Sequence, residues 1–180
     1  MILKQDFEQL NKHGIFSFLF FIIFLGGSQF SISQIKVSDH DIEHYTQLNN
    51  SENRLLKYKD SEDALILKLK QLAFINSSRK KHHTQPVKLD ILASRVANKI
   101  SKEDANKNFM VHFNPSGETP YMRYAFAGGY SHIMENASAI SSDQNLPDSP
   151  ENILGFMNKA HQAFMNEKAP NDGHKQNCIN

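Results

Sequence analysis

The apolar positions of this chain change period as one moves along it. Leu65, Ile66, Leu69, Leu72 and Ala73 recur at i, i+1, i+4, i+7 and i+8, the stripe of an amphipathic helix that Asp60 or Ser61 can cap and that Asn76-Ser77-Ser78 is expected to end. Leu89, Leu92, Ala93, Val96, Ala97 and Ile100 predict a second helix with one buried face. Pro120 and Gly128 bracket a short helix over Tyr121 to Ala127. Ser149-Pro150-Glu151 opens another, whose inward face is Ile153, Met157, Ala160 and Phe164. Extending that series by three places puts Glu167 at the edge of the apolar stripe, where a carboxylate needs a partner. Around Glu135 a strand is expected, with His132 and Met134 on one face and Glu135 on the other.

Ahead of these elements lies a continuous apolar run, Ile15 to Leu25, followed by Gly26-Gly27-Ser28. It is short for a membrane span of about 20 residues and suits the core of a signal peptide. Residues 1–28 are therefore expected to be a signal peptide or N-terminal anchor, with the mature chain starting between Ser28 and Gln34. Both readings place the protein outside the cytoplasm, secreted or held at a membrane through this segment. Residues 29–60 are polar and read as a linker. Within them His40-Asp41-Ile42-Glu43-His44 spells H-x-x-E-H, but only Ile42 offers packing, so the segment reads as solvated instead of as a metal-bearing helix. The adjacent His82 and His83 likewise read as a solvated loop.

With 180 residues the chain has room for one domain after that leader, here 61–180. A formal net charge of +1 gives no basis for nucleic-acid binding or for attraction to a membrane surface by charge. The single cysteine, Cys178, excludes an intrachain disulfide, and it has no arranged base for covalent catalysis. Any metal must be held by His and carboxylate.

Four polar residues set among apolar or glycine-rich neighbours stand out: His112, Glu135, Glu167 and His174. Two imidazoles and two carboxylates are the groups that hold a divalent metal or share protons in a cleft. His132 and His161 are weaker candidates, His161 as a hydrogen-bonded residue beside the apolar stripe.

The phrases around these residues resemble the CAP superfamily, also called SCP domains. INSSR followed by PVKLDILASRVANKIS is similar to its opening helices; His112, Gly117, Pro120 and Arg123 match F-x-H-x-x-x-x-G-x-x-P-x-x-R; Met134-Glu135-Asn136-Ala137 matches G-E-N with Met for Gly. Phe164-Met165-Asn166-Glu167 matches W-x-x-E with Phe for Trp, and Gly173-His174-Lys175 matches G-H-R/Y with Lys175 as the departure. The resemblance implies an α+β fold, a three-layer α/β/α sandwich of CAP type, here with its C-terminal hairpin missing because the family continues past G-H into two further strands. It also implies a cleft tetrad of His112, Glu135, Glu167 and His174, with zinc held by His112 and His174. The expected function is a secreted or surface binding module for a metal and an extracellular lipid, peptide or cell-wall ligand. The alternative is a metal-assisted hydrolase with Glu135 or Glu167 as general base.

Overall fold

The computed structural model describes residues 15–19, 36–107, 112–141 and 149–180. Inside the segment expected to be a polar linker, Asp39–Ser51 forms helix α1. Its start follows from Ser38, whose side chain accepts from Asp41 N at 3.1 Å, and from the acidic residues Asp39 and Asp41 in the first turn. Tyr45 and Asn49 are buried at i, i+4 and Ile42 packs partly beside them, so the inward face is narrow and half polar. That composition hides the helix from an apolar-period reading.

Helix α2 (Glu62–Lys81) is capped by Ser61 and is the central element. Leu65 and Leu69 pack with Tyr45 of α1 and with Ile91, while Leu67 and Phe74 pack with Ile153, Leu154 and Met157 of helix α5 (Pro150–Met165). A helix buried on two sides needs apolar residues around most of its circumference. Asn76-Ser77-Ser78 does not end it. The Asn76 amide exchanges hydrogen bonds with both backbone groups of Val87 at 2.9 and 2.8 Å, and Arg79 binds the carbonyls of Gln85 at 2.5 Å and Cys178 at 2.6 Å. With its polar groups satisfied by tertiary partners, the stretch stays helical.

Helix α3 (Ile91–Lys107) starts at Asp90, whose carboxylate accepts from Ala93 N at 2.8 Å. Leu92 and Val96 pack against Tyr124 of helix α4 (Pro120–Phe126). A buried cation, Arg95, and a half-buried one, Lys68, tie the 52–60 connection to these helices. Arg95 binds the carbonyls of Asn49, Glu52 and Arg54. Lys68 Nζ donates to Asp60 Oδ1, Ser94 Oγ and Asn98 Oδ1 at 2.6 to 2.7 Å, and Ser94 Oγ donates to Asp60 Oδ2 at 2.6 Å.

The expected three-layer α/β/α sandwich is not what forms. Among the described residues the chain is mostly helical, and its strands are two five-residue segments, β1 (Ile15–Leu19) and β2 (Ala137–Ser141), in one antiparallel ladder with Ile15 opposite Ser141. The physical reason is the use of α2: its faces are taken by α1 and α5, so helix packs on helix where the sandwich would need a sheet. His132 to Asn136 is irregular, and strand structure begins only at Ala137. Residues 15–19 of the expected leader belong to the ladder; the rest of residues 1–28, and the expected cleavage point between Ser28 and Gln34, lie outside the described residues. No helix among the described residues is long and apolar enough to cross a membrane.

Candidate functional site: two carboxylate-held histidines

The site is assembled from the loop before α4, the 135–136 segment, the end of α5 and helix α6 (Gly173–Ile179). Thr119 caps α4 by accepting from Met122 N at 3.1 Å, and Gly128, with φ +90°, ends it in the left-handed conformation that glycine adopts without strain. This seven-residue helix turns Arg123 inward. Its guanidinium binds the carbonyls of His112 and Glu118, each at 2.9 Å, and forms a buried ion pair with Glu135 Oε2. The other carboxylate oxygen, Oε1, lies 3.0 Å from His112 Nδ1.

On the opposite side Glu167 follows Asn166, the C-cap of α5, instead of riding the helix face as its periodicity predicts. Its Oε2 accepts from the backbone amides of His174 at 3.0 Å and Lys175 at 3.3 Å, the first turn of α6, and its Oε1 lies 2.5 Å from His174 Nδ1. A carboxylate here complements the orphan amides at a helix start. Phe164 stacks on the His174 ring, centroids 4.6 Å apart and planes 23° from parallel.

Asn136 joins the halves. Next to Glu135 and almost wholly buried, it donates to His174 O at 2.9 Å and to Cys178 Sγ at 3.2 Å, and it accepts from Asn177 at 2.8 Å. One residue therefore orients His112 while its neighbour holds the helix that carries His174. The two imidazoles come within 6.5 Å, centroid to centroid, at 40°.

In each ring Nδ1 is engaged by a carboxylate and Nε2 has no partner among the described residues. Both side chains are partly exposed, at 48% for His112 and 37% for His174. A carboxylate on one ring nitrogen fixes the tautomer that leaves the other as a lone-pair donor, the arrangement that metal-binding histidines use. The donors therefore fit a borderline divalent ion such as zinc. Two imidazoles on one tetrahedral zinc, with nitrogens about 2.0 to 2.1 Å from the metal, have centroids on the order of 5 Å apart, so a closure of roughly 1 Å by side-chain rotation is required. Among the described residues no group of three or more His, Cys, Asp or Glu is arranged around one point.

Arg123 and Asn136 are the residues that a reading centred on titratable groups undervalues, although Arg123 stands in register in its motif. His132 is exposed in the irregular stretch before β2. His161, expected to be a hydrogen-bonded boundary residue, is fully buried with no partner on either ring nitrogen, and burial pushes it down to about 2, so it is neutral and outside the site. A cavity of about 460 Å³ opens on the other side of α4, lined among others by Leu48, Arg54, Leu92, Tyr124 and Tyr130, and none of the four tetrad residues reaches it. There the Tyr124 hydroxyl, 2.8 Å from Asp90 Oδ2, is pushed up to about 12 by burial and by that carboxylate.

Compared with protein-family models, with curated proteins and with solved structures, the chain matches none.

Proposed function

We propose that this chain is an extracytoplasmic binding module whose His112 and His174 together take a divalent metal ion through their Nε2 atoms, leaving the remaining coordination positions to water or to a ligand donor. The observation that carries this reading is the pair of carboxylate–imidazole contacts, His112 to Glu135 at 3.0 Å and His174 to Glu167 at 2.5 Å, on rings 6.5 Å apart. The resemblance of the surrounding phrases to the CAP superfamily supports the site, and the apolar composition of Ile15 to Leu25 supports an extracytoplasmic location, with the pairing of Ile15–Leu19 to Ala137–Ser141 favouring a retained segment over a cleaved one. Zinc in a two-nitrogen site is weakly held and exchangeable, which suits an ion that bridges protein and ligand.

Binding is favoured over metal-assisted hydrolysis by the state of the two carboxylates. A general base needs an oxygen free to take a proton from a bound water. Both oxygens of Glu135 are engaged by Arg123 and His112, and both oxygens of Glu167 by His174 and the α6 amides.

Calorimetric titration of zinc into the purified protein tests the reading. His112→Ala and His174→Ala are each expected to remove the same equivalent of bound zinc, and acidification is expected to weaken binding because protons compete for imidazole nitrogens. Unchanged zinc binding in either single variant would sink the shared site.

A further inference from the structure

Helix α1 carries a second pair of histidines that the tetrad does not use. His40 and His44 are four residues apart on its exposed face, with ring planes 9° from parallel and centroids 6.4 Å apart. The i, i+4 spacing puts two side chains one above the other on a helix surface. We propose that His40 and His44 form a surface chelate for a first-row transition metal ion, with Cu²⁺ bound most tightly, separate from the His112–His174 site.

What distinguishes this pair from two exposed histidines on a fraying helix end is how firmly these turns are fixed. Ser38 caps the helix, Tyr45 is buried among Leu65, Leu69 and Ile91, and the Tyr45 hydroxyl accepts from Leu89 N at 3.3 Å. The edge of the Tyr45 ring meets His44 at 5.1 Å and 67°, bracing that imidazole. His40 is 88% exposed, its Nδ1 lies 3.8 Å from Asp41 Oδ1, and rotation of this exposed ring brings its Nε2 toward His44. A helix N-terminus repels cations, and the carboxylates Asp39, Asp41 and Glu43 on the same turns oppose that effect. Imidazole nitrogens suit Cu²⁺, Ni²⁺ and Zn²⁺, and affinity at such a site rises to Cu²⁺.

The test is calorimetric titration of Cu²⁺ into the full chain carrying His112→Ala and His174→Ala, which separates this site from the tetrad. In that background His40→Ala or His44→Ala is expected to lower the affinity of one copper equivalent by roughly tenfold to a hundredfold, since the second ligand binds at high effective concentration. Electron paramagnetic resonance is expected to lose the two-imidazole nitrogen pattern. Both residues are exposed, so circular dichroism should be unchanged. A third variant, His44→Ala with Gln47→His, keeps the number of histidines but separates them by two turns and is expected to bind as weakly as His44→Ala. Wild-type affinity in either single variant, or in the respaced one, overturns the chelate. Loss of zinc binding at the tetrad alone leaves this result unaffected.

Discussion

The two halves of the tetrad orient the same kind of ring by different physics. Glu135 is 4% exposed and its charge is matched by Arg123, which is 3% exposed, so the His112 half depends on a buried ion pair. Glu167 is 23% exposed and is held by the amides that open α6, so the His174 half depends on backbone geometry at a helix start. A buried pair is costly to break, because removing one partner strands the other charge; a carboxylate on backbone amides can be altered with the surrounding chain still in place. The first half is built into the core, and the second is laid on its edge.

The largest expected effect breaks the first half. Arg123→Leu leaves Glu135 buried without its cation and is expected to cost about 3 to 5 kcal/mol, while the double change Arg123→Leu with Glu135→Leu recovers most of it. Chemical denaturation of the three proteins measures this. Equal losses in the single and double variants would show that Arg123 acts by holding the His112 and Glu118 carbonyls and not by charge.

A charge pair in the scaffold sharpens the contrast, since Asp60 is buried like Glu135 and is matched by a cation, Lys68, that is only partly exposed. Burial pushes the Asp60 carboxyl up, but the Lys68 ammonium and hydrogen bonds from Lys68, Ser94 and Asn98 outweigh it and hold the group below its ordinary value. The folded state then binds the Asp60 proton less tightly than the unfolded state does. Its contribution is therefore present above the ordinary aspartate value of about 3.9 and is lost as pH falls through the lower folded value. Asp60→Ala is expected to cost about 3 to 5 kcal/mol at neutral pH by stranding Lys68, and to flatten the acid limb of the stability curve. An acid limb as steep as wild type in this variant would place the acid sensitivity elsewhere.

What was legible beforehand divides along the same line. The existence of α2, its Leu65 and Leu69 contacts, the face at Leu92 to Ile100, the Thr119–Pro120 and Ser149–Pro150 starts and the Gly128 stop follow from local rules, because caps and periodicity act within a few residues. The second buried side of α2, Leu67 and Phe74 against α5, falls outside the expected stripe, and Ile66, Leu72 and Ala73 are only half-buried. Helix α1 does not follow from local rules, because its inward face includes Asn49, whose burial depends on a hydrogen bond to Asp60 O at 2.9 Å. The passage of α2 through Asn76-Ser77-Ser78 depends equally on partners elsewhere, Val87 among them. On α5 the expected Ile153, Met157 and Phe164 are buried and Ala160 half-buried, and the stripe is widened by Leu154, His161 and Met165, since α2 and α6 cover adjoining faces. The sandwich inferred from resemblance fails for a related reason. Motif phrases around a site constrain the residues that meet there, whereas the layers behind them are decided by which helix faces find each other.

The smallest effects set the halves directly against each other. Glu135→Gln and Glu167→Gln both remove the charge that orients an imidazole, and each is expected to lower zinc affinity on the order of tenfold to a hundredfold. They should differ in stability. Glu135→Gln takes the counter-charge from buried Arg123 and should lower the melting temperature clearly, whereas a glutamine at 167 keeps an oxygen for the α6 amides in a partly exposed place and should cost about 1 kcal/mol or less. Melting curves and zinc titrations on both variants read the two properties separately. Equal loss of stability would mean that the His174 half is also set by a buried charge, and an unchanged zinc affinity in Glu167→Gln would mean that the α6 backbone alone fixes the His174 ring.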